Sequence, residues 1–317
     1  MGQDSVHGAR TTRQWRGHVF PWISAVCLIL IYGVPTACVF VLLRWSAFHV
    51  WAGVVTPIVW TLVFLISAGV LSLPHQFAVT PGKVRRDVNN RSYFHRRLYG
   101  LCWTAVYYNK PAYYLSLTVP LFKWMVFRLF GYRGSMNFTI YPDTWIRDLP
   151  LLKFEDGVYV SNRATLGTNM VLSNGFLLVG EITLRAKALV GHLAMLAPGV
   201  VLEPRAEVGV GTGIGIRTTL EAGAFVAPCC MIEHGVRIGK NAAVGGHSYV
   251  GSGSRICDGV KLPAGAVVAP RTTVRDWSQA KSLEPVESRH ERSLRDASGK
   301  GDARNVEMTG GELLVLR

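Results

Sequence analysis

A six-residue period of large apolar side chains runs along the second half of the chain. This period is neither the 3.6 of an α-helix nor the 2 of one long strand. It predicts short strands joined by recurring tight corners, with one large aliphatic side chain pointing inward at each step. In steps of six, the residues are Phe154, Val160, Leu166, Leu172, Leu178, Leu184, Val190, Leu196, Leu202, Val208, Ile214, Leu220, Val226, Ile232, Ile238, Val244, Val250, Ile256, Leu262, Val268 and Val274.

Small residues and glycines follow the same period. Small or branched residues stand four positions after the aliphatic ones, where inward space is expected to be tight: Ala164, Ala188, Ala194, Ala206, Thr212, Thr218, Ala224, Ala242, Ser248, Ser254 and Ala266. Glycine recurs between them, and we expect it where a corner needs a positive φ. These glycines are Gly167, Gly191, Gly209, Gly215, Gly239, Gly245 and Gly251.

Two long stretches near the N-terminus contain no charged residue, Val19–Leu43 and Val50–Pro74. Each exceeds the roughly 20 residues that a helix needs to cross a bilayer. A cleaved signal peptide would have a shorter apolar stretch, and no second stretch would follow it at once. The pattern therefore predicts two transmembrane helices within residues 19–74.

The distribution of charge supports a membrane partner rather than nucleic acid. Residues 1–150 hold 15 Lys or Arg against 4 Asp or Glu, whereas residues 151–317 hold 19 against 16. Basic residues flank the two apolar stretches at 10–16 and 83–97, and the short connector between them holds only Arg44. The positive-inside rule predicts a multi-pass protein of the cell membrane with both termini and the repeat region in the cytoplasm.

The remaining segments have less regular patterns. Residues 1–18 form a cytoplasmic N-terminal segment, and residues 75–150 form a connector rich in aromatic and basic residues, which suits the lipid headgroup layer. Residues 277–317 lose the period and mix both charges, so we expect a polar, mostly disordered tail, with a short helix near residues 282–295. The repeat itself occupies residues 151–276.

The repeat resembles the hexapeptide-repeat superfamily of left-handed parallel β-helix acyltransferases. The resemblance implies an all-β domain of about seven coils, with three hexapeptides in each coil. It also implies a homotrimer with active sites between neighbouring subunits, and acyl transfer from acetyl-CoA or another acyl-CoA to a hydroxyl or amine. In that family a histidine acts as general base without a metal ion.

Three histidines in the repeat are candidates for that role. His234 lies in the segment Ile232-Glu233-His234-Gly235, which resembles the catalytic segment of sugar acetyltransferases of this superfamily. Those enzymes often carry an acidic residue directly after the histidine, where this chain has Gly235, and Glu233 precedes the histidine instead. His192 has the same register and is a candidate to bind the acceptor or to act as the base. We expect His247, one position further along its hexapeptide, at the surface.

Four basic residues towards the end of the repeat are candidates for the CoA phosphates: Lys240, Arg255, Lys261 and Arg271. The chain lacks the "G-x-P-A" ending that is common among CoA-using members of the superfamily. It also resembles, more weakly, the membrane-bound terminal region of nonribosomal-peptide-synthetase-like proteins, in which a carrier protein would supply the acyl group.

The sequence thus predicts a membrane-bound acyltransferase whose acceptor is part of a lipid-linked or cell-envelope glycan precursor. Two alternatives outside the acyltransferases stay open. A β-helix carbonic anhydrase would need a close pair of metal-binding histidines, whereas His234 and His247 are 13 residues apart. A catalytically inactive scaffold of a membrane complex would need none of these side chains.

Overall fold

The computed structural model describes residues 4–47 and 49–283. The helix predicted near residues 282–295 and most of the tail predicted to be disordered lie outside these residues. Its N-terminal part is helical and its C-terminal part is a parallel β-solenoid. The α-helices are α1 (Asp4–Trp45), α2 (Val50–Ser72), α3 (Arg91–Tyr108), α4 (Lys110–Thr118), α5 (Pro120–Leu129) and α6 (Trp277–Lys281). Two 3₁₀ helices span Leu73–Ala78 and Leu149–Leu151.

Two of these helical segments are long and apolar enough to cross a membrane, Val19–Trp45 and Val50–Ala78. They coincide closely with the two stretches that the sequence singles out. Pro21 and Pro35 lie inside α1, and Pro57 lies inside α2. Large apolar side chains on both helices face outward, among them Trp22 and Val50, which are 76% and 88% exposed.

Three parallel sheets, which we call the first, second and third faces, form the solenoid. The first face contains β2 (Phe138–Ile140), β4 (Val158–Val160), β9 (Leu189–Val190), β12 (Glu207–Val208), β15 (Phe225–Val226), β18 (Ala243–Val244) and β21 (Lys261–Leu262). The second face contains β5 (Thr165–Leu166), β10 (Met195–Leu196), β13 (Gly213–Ile214), β16 (Met231–Ile232), β19 (Tyr249–Val250) and β22 (Val267–Val268). The third face contains β3 (Leu152–Phe154), β8 (Ile182–Leu184), β11 (Val201–Leu202), β14 (Thr219–Leu220), β17 (Arg237–Ile238), β20 (Arg255–Ile256) and β23 (Thr273–Val274).

The periodic aliphatic residues stack in columns inside the solenoid. On the second face Ile214 pairs with Ile232, and Ile232 pairs with Val250, so that each turn places one aliphatic above the previous one at 18-residue intervals. These side chains are buried, and together with the columns of the other two faces they form one continuous core. No single turn could bury its aliphatic side chains alone.

The solenoid begins earlier than the period indicates. Strand β2 pairs with β4, Trp145 forms a bridge to Thr165, and the N–H of Ser135 donates to the carbonyl of Phe154. With this incomplete first turn the solenoid has about eight turns rather than the seven expected. Aromatic and loop residues form the early strands, and the hexapeptide pattern therefore did not reveal them.

A β-hairpin interrupts the repeat between the second and third faces. Strands β6 (Asn169–Val171) and β7 (Phe176–Val179) pair with each other, and β7 also pairs with β1 (Gly82–Arg85). The expectation that Leu172 and Leu178 lie on the inner columns is therefore wrong. Residues 174 and 175 form the Asn-Gly sequence that favours tight hairpin turns, and because the hairpin adds 12 residues, the six-residue count continues past it unchanged.

The corner glycines have a different role from the one expected. Positive φ occurs at the third residue after most inward aliphatic residues, for example at Gly235 and His247. Gly215 and the equivalent glycines at the first position have no positive φ. A Cβ at Gly215 would lie 2.5 Å from the carbonyl carbon of Glu233 in the next turn. These glycines are needed because successive corners approach each other closely.

The helices pack on the N-terminal end of the solenoid. The buried Arg96 of α3 forms an ion pair with Asp148, which is fully buried. The indole N–H of Trp103 donates to the carbonyl of Ile146 at 2.6 Å. Many connector aromatics are therefore buried in the protein, namely Tyr99, Trp103, Tyr107, Tyr113 and Phe127, whereas Tyr108, Tyr114 and Trp124 are exposed.

Candidate active site

His234 lies at the corner between the second and third faces, which we call the second corner. Its ring is exposed, and Nδ1 accepts a hydrogen bond from the backbone N–H of Ile216, one turn below, at 3.0 Å. Because Nδ1 accepts, the proton of the neutral ring is on Nε2. In this state His234 presents an N–H donor to a ligand rather than a free basic nitrogen.

Thr218 fixes the backbone of the same corner. Its hydroxyl donates to the carbonyl of Glu233 at 2.7 Å and accepts from the N–H of Val236 at 3.3 Å. The side chain of Thr218 is fully buried. This hydroxyl satisfies two backbone groups on either side of His234, so the position of the histidine is defined by the turn below it.

Glu233 does not hydrogen-bond to the ring of His234. Its carboxylate accepts from the hydroxyl of Ser252, one turn above, and also interacts with the hydroxyl of Tyr249. The hydrogen bond from Ser252, with that from Tyr249, lowers the pKa of Glu233, and the nearby His234 acts in the same direction. Glu233 is thus an ionised group that ties the corner to the next turn.

A groove of about 510 Å³ lies beside the lower part of the second corner. Arg217, which directly follows Ile216, and Gly199, one turn further down, line it on the solenoid side. The opposite side comes from β1 and the hairpin, through Lys83, Leu178 and their neighbours. His234 therefore stands one turn above a groove that is formed by two separate parts of the chain.

The other two histidines lie on the corner between the first and second faces, the first corner. His192 is half-buried, and its ring has no hydrogen-bond partner in the described part of the chain, whereas His247 is exposed and has a φ of 58°. At about 4.8 Å per turn of 18 residues, His192 lies roughly 11 Å below His234 along the solenoid axis. His247 lies only about 3.5 Å above His234. The register of the sequence points to His192 as the second functional histidine. The position along the solenoid axis instead favours His247, because His247 is closer to the level of His234.

The four basic candidates for CoA binding are spread around the solenoid. Arg271 lies on the second corner, two turns above the level of His234, and Arg255 lies on the adjoining third face. Lys240 lies at the corner between the third and first faces, and Lys261 lies on the first face. All four side chains are exposed. Arg271 and Arg255 therefore share a side of the solenoid with His234, and the two lysines do not.

Lys261 instead lines a separate cavity of about 360 Å³ near the end of the solenoid. Asp258, Arg275 and Asp276 also line this cavity. Within residues 4–47 and 49–283, no group of three or more His, Cys, Asp or Glu side chains is arranged to hold a metal ion.

Comparison with known proteins gives structural neighbours only. No protein-family model and no curated protein matches the chain. A serine acetyltransferase of Neisseria gonorrhoeae, solved in complex with serine, is similar at 16% identity and a TM-score of 0.20, over 84% of this chain and 93% of that chain. Serine acetyltransferase 1 of Entamoeba histolytica, solved with L-cysteine, is similar at 13% identity and a TM-score of 0.16, over 77% of this chain and 74% of that chain. Similarities of this size define neither an activity nor a substrate for this chain.

Proposed function

We propose that the protein is a membrane-bound acyltransferase that moves an acyl group from acyl-CoA to a hydroxyl or amine of a lipid-linked or cell-envelope glycan precursor. The observation that carries this proposal is His234, held by Ile216 and Thr218 at a solenoid corner one turn above a groove. A fixed imidazole N–H beside a substrate-sized groove suits stabilisation of the oxyanion that forms during acyl transfer. The resemblance of the repeat to the left-handed β-helix acyltransferases supports the same reaction.

The second face supports a homotrimer. Outward-facing apolar residues form a column along it, and Met195, Met231 and Val267 are 52%, 50% and 62% exposed. Leu193 and Val210 extend this apolar surface at the first corner. Exposed apolar surface of this extent favours burial against a second copy. Around a threefold axis facing this surface, the first corner of one copy would lie beside the second corner of the next.

We assign the reaction steps on the basis of this proposed trimer. His247 of one copy would be nearly level with His234 of its neighbour, so His247 is placed to remove the proton from the acceptor. As His247 takes that proton, the oxygen or nitrogen of the acceptor attacks the thioester carbonyl carbon, whose oxygen accepts from Nε2–H of His234. The C–S bond breaks, and the proton returns to the CoA sulfur. His192, lower along the same cleft, would contact the acceptor away from the reacting atoms.

The two apolar helices support the membrane location. Side chains such as Trp22 and Val50 would expose apolar surface to water in a soluble protein, whereas lipid would cover it. With basic residues flanking both spans, the solenoid would face the cytoplasm, where acyl-CoA is available. Arg271 and Arg255 would then contact the CoA phosphates on the side of the solenoid that carries His234.

A transfer assay tests this function. Full-length protein in detergent would be incubated with radiolabelled acetyl-CoA and a membrane lipid extract, and label would be counted in the lipid phase. We expect His247→Ala to reduce the rate by roughly 10²–10⁴-fold, as for loss of a general base. His192→Ala should mainly raise KM for the acceptor. Arg163→Ala is the matched control, because Arg163 lies on the same corner with a φ of 56°, several turns below.

Two results would contradict parts of this proposal. Full activity in both His234→Ala and His247→Ala would show that the assigned mechanism is wrong. If calorimetry showed no binding of acetyl-CoA and an acylated carrier protein supported transfer, the acyl donor would be the carrier protein and not CoA. Absence of transfer from either donor would favour a scaffold.

A further inference from the structure

A second cavity, of about 370 Å³, lies where the helices meet the hairpin, away from His234. Four arginines from three parts of the chain line it, together with Tyr93 and Asn169. They are Arg86 after β1, Arg96 and Arg97 on α3, and Arg147 at the start of the solenoid. We call it the arginine cavity. None of its described lining residues is acidic.

The inner side of the arginine cavity is rigid. Arg96 is only 2% exposed, and Asp148, its partner, also accepts from the hydroxyl of Thr168 at 2.6 Å and from the amide of Asn169 at 2.9 Å. Burial lowers the pKa of the Arg96 guanidinium, and Asp148 acts in the opposite direction. One carboxylate thus balances one of four arginines, and a large positive charge stays in a partly enclosed space.

Two guanidinium nitrogens in this cavity have no protein partner. Nη1 of Arg96 and Nε of Arg147 are buried and make no hydrogen bond within the described residues, and neither does Oδ1 of Asp148. A buried donor without a partner is costly. Gly100 of α3 makes room for Arg147, because a Cβ there would collide with its guanidinium group. The helix is therefore shaped to hold this arginine in place.

The arginine cavity also lies beside the start of the first apolar helix. The guanidinium carbon of Arg97 is 4.2 Å from the ring centroid of Phe20, the second residue of the candidate span Val19–Trp45. On the hairpin side, the backbone N–H of Arg86 donates to the carbonyl of Gly175 at 3.0 Å. The cavity is thus formed by α3, the hairpin region and the start of the solenoid, and one of its arginines also contacts a candidate span.

We propose that the arginine cavity binds a phosphate or pyrophosphate group. Guanidinium groups form paired, charge-assisted hydrogen bonds with phosphate oxygens, and several arginines match a group that carries more than one negative charge. A single carboxylate would leave most of the charge unbalanced. Assigning this phosphate to the headgroup of the acyl acceptor rests on the proposed function, whereas binding itself does not.

Calorimetry with inorganic pyrophosphate tests the site on full-length protein in a neutral detergent. We expect saturable binding that weakens by about tenfold or more in Arg147→Gln and in Arg86→Gln, because each removes charge-assisted hydrogen bonds. Arg85→Gln removes the same charge one residue from Arg86 without lining the cavity, and should change Kd less than about twofold. Gly100→Ala should weaken binding without any change of charge, because it displaces Arg147. Circular dichroism would verify the fold of each variant.

The result that overturns the proposal is a folded wild-type protein without saturable pyrophosphate binding, or an equal loss in Arg85→Gln and Arg147→Gln. Lipid nanodiscs with and without phosphatidic acid identify the source of the phosphate. If pyrophosphate binds more weakly in nanodiscs that contain phosphatidic acid, the site binds a membrane headgroup. If the pyrophosphate affinity is equal in both nanodiscs, the site binds a water-soluble ligand. If the protein binds pyrophosphate but transfers no acyl group, the proposed function is contradicted and the proposed phosphate site is still supported.

Discussion

The backbone N–H of Ile216 donates to Nδ1 of His234 across one turn of the solenoid, at 3.0 Å. This bond makes Nε2 the protonated nitrogen of the neutral ring. A glutamine side chain can present an N–H at nearly the position of Nε2, whereas alanine cannot. Substitution of His234 by glutamine and by alanine can therefore distinguish a role as hydrogen-bond donor from a role as general base.

We expect His234→Gln to retain the transfer rate within about tenfold, and His234→Ala to lose roughly 10²–10³-fold, as for removal of one oxyanion donor. Steady-state rates at saturating acetyl-CoA would measure both. Equal and nearly complete loss in the two variants would instead identify His234 as the base that the sequence predicts. Nitrogen chemical shifts of labelled histidine would report the tautomer independently.

Thr218 should contribute strongly to the stability of the His234 corner. Thr218→Val keeps the shape but leaves the carbonyl of Glu233 and the N–H of Val236 without their partner, which costs about 1–3 kcal/mol per buried group. Urea unfolding would measure the change in the free energy of unfolding. Thr219→Val, on the outward side of β14, is the control and should change stability by less than about 0.5 kcal/mol. A similar effect of both variants would contradict the role of the buried hydroxyl.

Gly215 should be intolerant of a side chain for reasons of space alone. In Gly215→Ala the new Cβ would lie 2.5 Å from the carbonyl carbon of Glu233 and 2.7 Å from the amide nitrogen of His234, so the corner must move. We expect lower stability and a lower transfer rate together. In Gly235→Ala the Cβ meets no atom within 4 Å, and the positive φ alone should cost about 1 kcal/mol. Thermal unfolding would rank the two variants, and a larger loss in Gly235→Ala would refute this explanation.

Cysteine labelling should report the orientation of the solenoid. Cys229 is exposed at the first corner, whereas Cys102 and Cys230 are buried. Burial raises the pKa of the Cys102 thiol to about 12, so almost no reactive thiolate forms there at neutral pH. In a background with Cys38→Ser and Cys257→Ser, we expect a membrane-impermeant maleimide to label Cys229 in inverted vesicles and not in intact cells. Labelling in intact cells would contradict the proposed cytoplasmic orientation.

The fold was largely predictable because one signal repeats many times. A register error at any single hexapeptide would move a large aliphatic side chain out of a column such as that of Ile214, Ile232 and Val250, so the period defines the stacking. The hairpin escaped detection because its inserted length is a multiple of six. The Asn174-Gly175 pair was the local signal that could have revealed it.

The candidate sites were less predictable, since they depend on neighbours that are distant in sequence. His234 was found from its motif, but its tautomer depends on Ile216, which is 18 residues away. The arginine cavity joins Arg86 to Arg147 across 61 residues of chain. Nothing in the periodicity predicts that these two side chains line one cavity, because the connector folds by aromatic packing and not by repetition.

The ion pair between Arg96 and Asp148 has a consequence for how the solenoid avoids end-to-end association. A parallel solenoid exposes unpaired strand edges at each end, and such edges invite end-to-end addition of further chains. Here α3 covers the N-terminal edge through Arg96 and Trp103. At the opposite edge α6 buries Ala280. The helical part of the chain therefore also acts as a cap against fibre growth, and a fragment cut at residue 151 would lose that protection.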